Sequence, residues 1–153
     1  MQVGDVVEDF ELPDETGTPR RLSTLLEGGP VVLFFYPAAL TAGCTREACH
    51  FRDMAGELRE AGGQPVGISG DEVAKQAEFA SRHSLGYPLL SDPVGTVREQ
   101  FGVKRGLGGG LIPTKRATFV IDTDRRVLAV VKSEIRMDVH ADKALEALQA
   151  RSS

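Results

Sequence analysis

Residues 31–61 read VVLFFYPAALTAGCTREACHFRDMAGELREA, and this stretch decides the fold. Val31 to Tyr36 are apolar throughout, mostly β-branched or aromatic, and bounded by Gly29-Pro30 and Pro37. An apolar run of that length between breakers predicts a central strand covered on both faces. After a loop, Ala48, Phe51, Ala55, Leu58 and Ala61 recur at spacings of three and four. That period predicts a helix from Cys44 to about Ala61 with one apolar face, stopped by Gly62-Gly63.

Outward from this unit, Pro65 to Ser69 predict a second core strand. Asp71 is placed to cap a following helix whose stripe is Val73, Ala77 and Ala80, up to about His83. Tyr87 to Pro93 read as a connection, Val94 to Phe101 as a short helix, and residues 104–113 (KRGLGGGLIP) as a Gly-rich loop. Ala117 to Asp122 and Val127 to Val131 predict two strands joined by a hairpin loop over residues 122–126. Asp138 starts a last helix with Val139, Ala144, Leu145 and Leu148 on one side. Upstream, residues 8–12 alternate as a short edge strand ended by Pro13 and the turn cluster 14–17. Ser23 is placed to cap a helical turn through Leu26, closed by Gly28-Gly29. Strands alternating with helices, then a hairpin, predict an α/β chain: one three-layer α/β/α sandwich with a mixed central sheet, a single domain over residues 1–153.

The chain has 153 residues and a net charge of −4, with 18 basic and 22 acidic side chains. Mixed, mildly acidic charge carries no bulk electrostatic case for nucleic acid or an anionic membrane. No apolar run approaches the ~20 residues of a transmembrane helix. The first ten residues, MQVGDVVEDF, lack the basic and apolar regions of a secretory signal, so a cytoplasmic, reducing setting is expected. There, a pair of cysteines is more often catalytic or metal-binding than structural. A zinc site needs about four ligands. His50 adjoins Cys49, but His83 and His140 are distant and unpatterned, so no metal is expected and the histidines read as solvated helix residues.

Cys44 falls where the loop after the central strand becomes a helix. Free backbone N–H groups and the helix dipole favour an anion there, which biases a thiol toward the nucleophilic thiolate. A buried, inert cysteine is the alternative. Cys49 lies five residues on. In a regular helix that offset means ~7.5 Å of rise and ~140° of rotation, so the Cα atoms lie roughly 8.6 Å apart. A disulfide tolerates at most about 7 Å, so the two cannot bond while the helix is intact. A small apolar filler is the other reading of Cys49. The spacing is not C-x-x-C, so a thioredoxin-type exchange motif is absent.

Pro37, Thr41 and Cys44 fit the pattern Pro, three residues, Thr, two residues, Cys, and Cys44 to Asp53 place the second Cys five residues after the first. In these motifs the chain resembles the peroxiredoxins, in the bacterial, mycobacterial-like form of the bacterioferritin-comigratory-protein or Q-type subfamily. The resemblance runs from about Val3 to the last helix and includes Gly67-Ile68-Ser69, Tyr87 to Asp92 and Arg116 to Asp122. It implies a thioredoxin-like fold and a thiol peroxidase for hydrogen peroxide and organic hydroperoxides. By resemblance, Cys44 is the peroxidatic cysteine and Cys49 the resolving one. Arg116 holds the thiolate and donates to the peroxide oxygens, Thr41 orients the peroxide, and Pro37 shields the thiolate from water. Backbone N–H groups near Gly43 and Cys44 form an anion-binding nest. Without the motif, these three would pass as a surface arginine, a turn residue and a strand stop. Glu47 is placed to buttress Arg116, but a first-turn Glu is common for dipole reasons alone and stays outside the core set.

The implied cycle runs from a Cys44 sulfenic acid through an intramolecular Cys44–Cys49 disulfide to reduction by thioredoxin or a similar dithiol protein. It needs no flavin, haem or metal; the subfamily is often monomeric, and an edge-to-edge or loop-mediated dimer stays open. Ala38 and Ala39 stand where Lys and Asp are often found, and Ala42 where Pro is usual. The loop over 104–113 is not a dinucleotide fingerprint, because it precedes a strand instead of following one. Two other classes stay open: a redox sensor that uses the same disulfide as a switch, and a non-catalytic thioredoxin-like interaction module.

Overall fold

A computed structural model describes residues 1–103, 115–133, 136 and 138–152. Two short strands, β1 (Glu11–Pro13) and β2 (Pro19–Arg21), form an antiparallel ribbon, followed by α1 (Leu22–Leu25) and a 3-10 turn over Leu26–Gly28. The chain continues through β3 (Val31–Phe35), α2 (Ala42–Glu60), β4 (Gln64–Ser69), α3 (Val73–His83) and β5 (Leu89–Ser91). It ends with α4 (Thr96–Gln100), β6 (Ala117–Ile121), β7 (Val127–Lys132) and α5 (Val139–Ser152). The sheet order is β5-β4-β3-β6-β7, parallel from β5 to β3 and antiparallel from β3 to β7. It is the expected mixed sheet with β3 at its centre.

All five β3 residues are buried, and the strand's period of two splits them between two cores. Val31, Leu33 and Phe35 pack with Leu22, Leu26, Val97 and Phe101 from α1, its following turn and α4. Val32 and Phe34 pack with Phe51 and Leu58 of α2, Phe79 of α3, and Ala144 and Leu148 of α5. These two faces make the three layers. Phe34 and Phe51 stack with ring centroids 4.1 Å apart, and burying each such ring is worth about 1.5–3 kcal/mol.

Several local expectations are corrected. The edge strand lies at Glu11–Pro13, not 8–12, and pairs in a separate ribbon with a second strand the sequence did not reveal. Ser23 does not cap α1. Its amide and hydroxyl donate to Asp9 instead, at 2.9 and 2.7 Å. Asp71 does not cap α3, whose N-cap is Glu72, because its carboxylate accepts from Ser69 Oγ at 2.7 Å and Ala39 N at 2.6 Å. The buried residues of α3 are Gln76 and Phe79, since Gln76 reaches inward to Ser69 and the Leu90 carbonyl. The connection before Pro93 contains β5, and the short helix is Thr96–Gln100 rather than 94–101. α2 begins two residues earlier than expected, at Ala42, and α5 one later, at Val139. The Gly-rich loop, residues 104–113, lies wholly outside the described residues.

The sheet also delivers the site. β3 and β6 run antiparallel with Phe35 opposite Ala117. The residue before β6, Arg116, therefore meets the loop that leaves β3.

Candidate active site

Thr41 is the N-cap of α2 in extended conformation, which puts Cys44 at the third helical position. The Thr45 amide donates to the Thr41 carbonyl at 2.9 Å, closing the first turn. Among the described residues no side chain caps this helix start. The Thr41 hydroxyl donates to the Ala38 carbonyl at 2.9 Å. Leu40, one residue earlier, is held left-handed at φ 66°. That conformation costs a residue with a Cβ about 1–3 kcal/mol.

Cys44 is 1% exposed and faces the sheet. Arg116 Nη2 donates to its Sγ at 3.3 Å, and Nη1 donates to Glu47 Oε1 at 3.0 Å. Glu47 stands three residues after Cys44 and so shares its helix face. One guanidinium thus bridges thiol and carboxylate, all three buried. Beneath them lies His140, fully buried, its Nε2 3.6 Å from Glu47 Oε2 and 2.9 Å from the Ser133 carbonyl. A carbonyl only accepts, so Nε2 carries a proton. Nδ1, 2.7 Å from Thr118 Oγ1, then accepts from that hydroxyl when the ring is neutral.

The structure brings Cys44 and Arg116 into contact and sets Thr41 one turn away. Cys49 is half-buried on α2, and both cysteines are thiols. Pro37 follows the β3–Tyr36 segment and borders a cavity of about 320 Å³ together with Ser69, Asp71 and Asp92. A second cavity, about 360 Å³, opens beside Arg116 and is lined by Val103, Lys115, Ala117, Lys132 and Ser133. Burial pushes the hydroxyl pKa values of Tyr36 and Tyr87 well above the ordinary phenol value, so both stay protonated donors. Their acceptors are Gln76 Oε1 at 2.6 Å and the Ala48 carbonyl at 2.7 Å.

Two residues exceed their sequence reading. Glu47 is fully buried against Arg116, and its signal was its place three residues from Cys44. His140 is buried rather than solvated, and no local pattern marks it, because its partners come from β6 and from the end of β7. His50 is half-buried and lies 2.9 Å from Asp142. Among the described residues no three His, Cys, Asp or Glu side chains gather as a metal site. None of the described helices is long and apolar enough to cross a membrane.

A mixed sheet of this order, with a buried thiol in the first turn of a helix and an arginine on its sulfur, is the arrangement of a peroxiredoxin, a peroxidase of the oxidoreductase class. The chain belongs to the AhpC/TSA family, whose model matches residues 3–130. It is similar to the crystal structure of peroxidoxin BcpB from Mycobacterium tuberculosis, with a TM-score of 0.94, 67% identity, and 100% and 99% of the two chains covered. It is 41% identical to the chloroplastic peroxiredoxin Q of Arabidopsis thaliana over 96% of this chain and 67% of that one. The bacterioferritin comigratory protein of Xanthomonas campestris, studied for its alkyl peroxide reduction activity, matches with a TM-score of 0.85 and 26% identity over 97% of this chain and all of the other. The fold is thioredoxin-like, and the protein is a thiol peroxidase of the Q or bacterioferritin-comigratory type.

Proposed function

We propose that Cys44 is the thiol that attacks peroxide, and that Cys49 resolves the product. The observation that carries this is the Arg116 guanidinium, 3.3 Å from Cys44 Sγ and braced by buried Glu47. A fixed cation on the sulfur favours the thiolate and is in place to donate to a peroxide lying against it. The Cys44 thiolate attacks one peroxide oxygen, a sulfur–oxygen bond forms, and the O–O bond breaks. Water or an alcohol leaves once the departing oxygen takes a proton. Hydrogen peroxide and organic hydroperoxides both fit this step, and the alkyl peroxide activity of the Xanthomonas relative supports the second class. Thr41 orients the substrate, and Pro37 limits water at the loop.

Cys49 then attacks the Cys44 sulfenic sulfur. The S–S bond forms, the S–O bond breaks, and water departs with the thiol proton. α2 must first open between the two residues. Thioredoxin or a similar dithiol protein restores both thiols, in the reducing cytoplasm. One chain, a single domain, holds both cysteines and the Arg116 guanidinium, so a monomer suffices for attack and resolution.

The test is intact mass after one equivalent of peroxide, on wild type and Cys49→Ser. A loss of about two daltons in the wild type, with about sixteen or more gained in the variant, is the expected result. Added oxygen in both demotes Cys49 to packing. No change in either removes the peroxidase role from Cys44.

A further inference from the structure

The turn of α2 that carries Cys49 is held by a hydroxyl from outside the site. Tyr87, in the loop before β5 and 5% exposed, donates to the Ala48 carbonyl at 2.7 Å. Its ring packs edge-on against Phe34, centroids 5.8 Å apart, which fixes where the hydroxyl points. Beside it on α2, His50 Nε2 lies 2.9 Å from Asp142 Oδ1, and one turn past Ala48, Arg52 Nη1 donates to the His83 carbonyl at 2.8 Å. These tie the helix to the end of α3 and to α5. At its start, by contrast, no described side chain caps it. α2 is therefore uncapped at its start, held at Cys44 and Glu47 through Arg116, and anchored from residue 50 onward, with the Tyr87 bond between the two.

We propose that Tyr87 is a positioning residue for the resolving step: its hydroxyl marks where α2 must come undone for Cys49 to reach Cys44, and sets how readily it does so. This rests on Cys49 being the resolving thiol. The Cα atoms, roughly 8.6 Å apart in the intact helix, must approach to within about 7 Å. Residues 50–52 are tethered, so the approach is made by residues 44–49 leaving the helix. The Ala48 carbonyl lies inside that segment, and moving it strips a buried phenol of its acceptor, which costs more than breaking a wet hydrogen bond. The Arg116 contacts to Cys44 and Glu47 must give way as well, but they belong to the peroxide site. Tyr87 acts on the opening alone. Slower opening leaves the sulfenic acid exposed to a second peroxide, which adds one more oxygen and gives the sulfinic acid.

Tyr87→Phe keeps the ring and deletes only the hydroxyl. Val127→Ala, in the core on the other face of the sheet, serves as a variant weakened without touching α2. In reduced Tyr87→Phe, backbone amides over residues 42–52 should exchange with deuterium about three- to tenfold faster than in wild type, with other segments unmoved. Under excess peroxide, the ratio of disulfide (about two daltons lost) to sulfinic acid (about thirty-two gained) should rise by a similar factor. Exchange over 42–52 within about twofold of wild type, or matched by Val127→Ala, overturns the clamp. So does an unchanged product ratio, while leaving the Cys49 resolution standing. A wild type that never loses two daltons takes the resolving role from Cys49, and this proposal falls with it.

Discussion

Arg116 acts through two nitrogens with different tasks. Nη1 is spent on Glu47, so the guanidinium is held in one plane, and Nη2 is left directed at Cys44. Holding a cation at 8% exposure requires a counter-charge, and Glu47 supplies it from the same helix face as the thiol. Removing either partner of such a buried pair costs about 3–5 kcal/mol, because the other charge is left uncompensated. Arg116→Met should therefore lower the rate constant of Cys44 with peroxide by roughly 10²–10³-fold, the range for losing one positioned donor. Single-turnover kinetics at saturating and limiting peroxide measure it. A loss below tenfold would count against the guanidinium as the donor.

Among the elements, the β1–β2 ribbon depends on one carboxylate. Asp14 is 1% exposed and gathers the amides of Thr16 and Thr18, the Thr16 hydroxyl and Arg20 Nε. Burial alone would raise its pKa, but these donors outweigh burial and hold the carboxyl below the usual 3.8. A carboxylate held low in the folded state stabilises it at every pH above the unfolded value, and that contribution drains away as pH falls through the folded value. Asp14→Asn should be less stable than wild type at pH 7, with the gap narrowing as pH falls below about 4. Urea melts at pH 7, 5 and 3 check the sign. A gap that widens toward acid would refute it. The loop after β3 is an element of a different kind, in which Asp71 abandons a helix cap to hold the Ala39 amide beside Leu40.

For the molecule as a whole, the packing of the face that carries the site leaves little slack. A Cβ on Gly67 of β4 would sit 2.7 Å from Leu89 Cδ2 and 3.1 Å from the rings of Phe34 and Tyr36. Gly67→Ala should cost about 1–3 kcal/mol, the usual range for overpacking, as a lower urea midpoint with unchanged slope. A midpoint within error of wild type would show that β5 yields there. The sequence by itself determined the central strand, because Val31 to Tyr36 admit only burial on both faces, and the apolar face of α2, because its period is local. It also pointed to Cys44 and Arg116, which the structure brings into contact, through a motif of fixed spacing and a family resemblance. It undervalued Glu47 and missed His140, since burying them is decided by partners far along the chain: Arg116 on β6's lead-in, 69 residues from Glu47, and His140 itself on α5. Caps were misplaced at Ser23 and Asp71 for the same reason: Ser23 turns to Asp9 and Asp71 accepts from the Ala39 amide, partners near in space and 14 and 32 residues away in sequence. Only the tertiary structure decided which nitrogen of Arg116 meets the thiol and which tautomer His140 holds. It also decided that the Tyr87 hydroxyl would close on Ala48, because each of these depends on strands and helices meeting across the sheet rather than on any period along the chain.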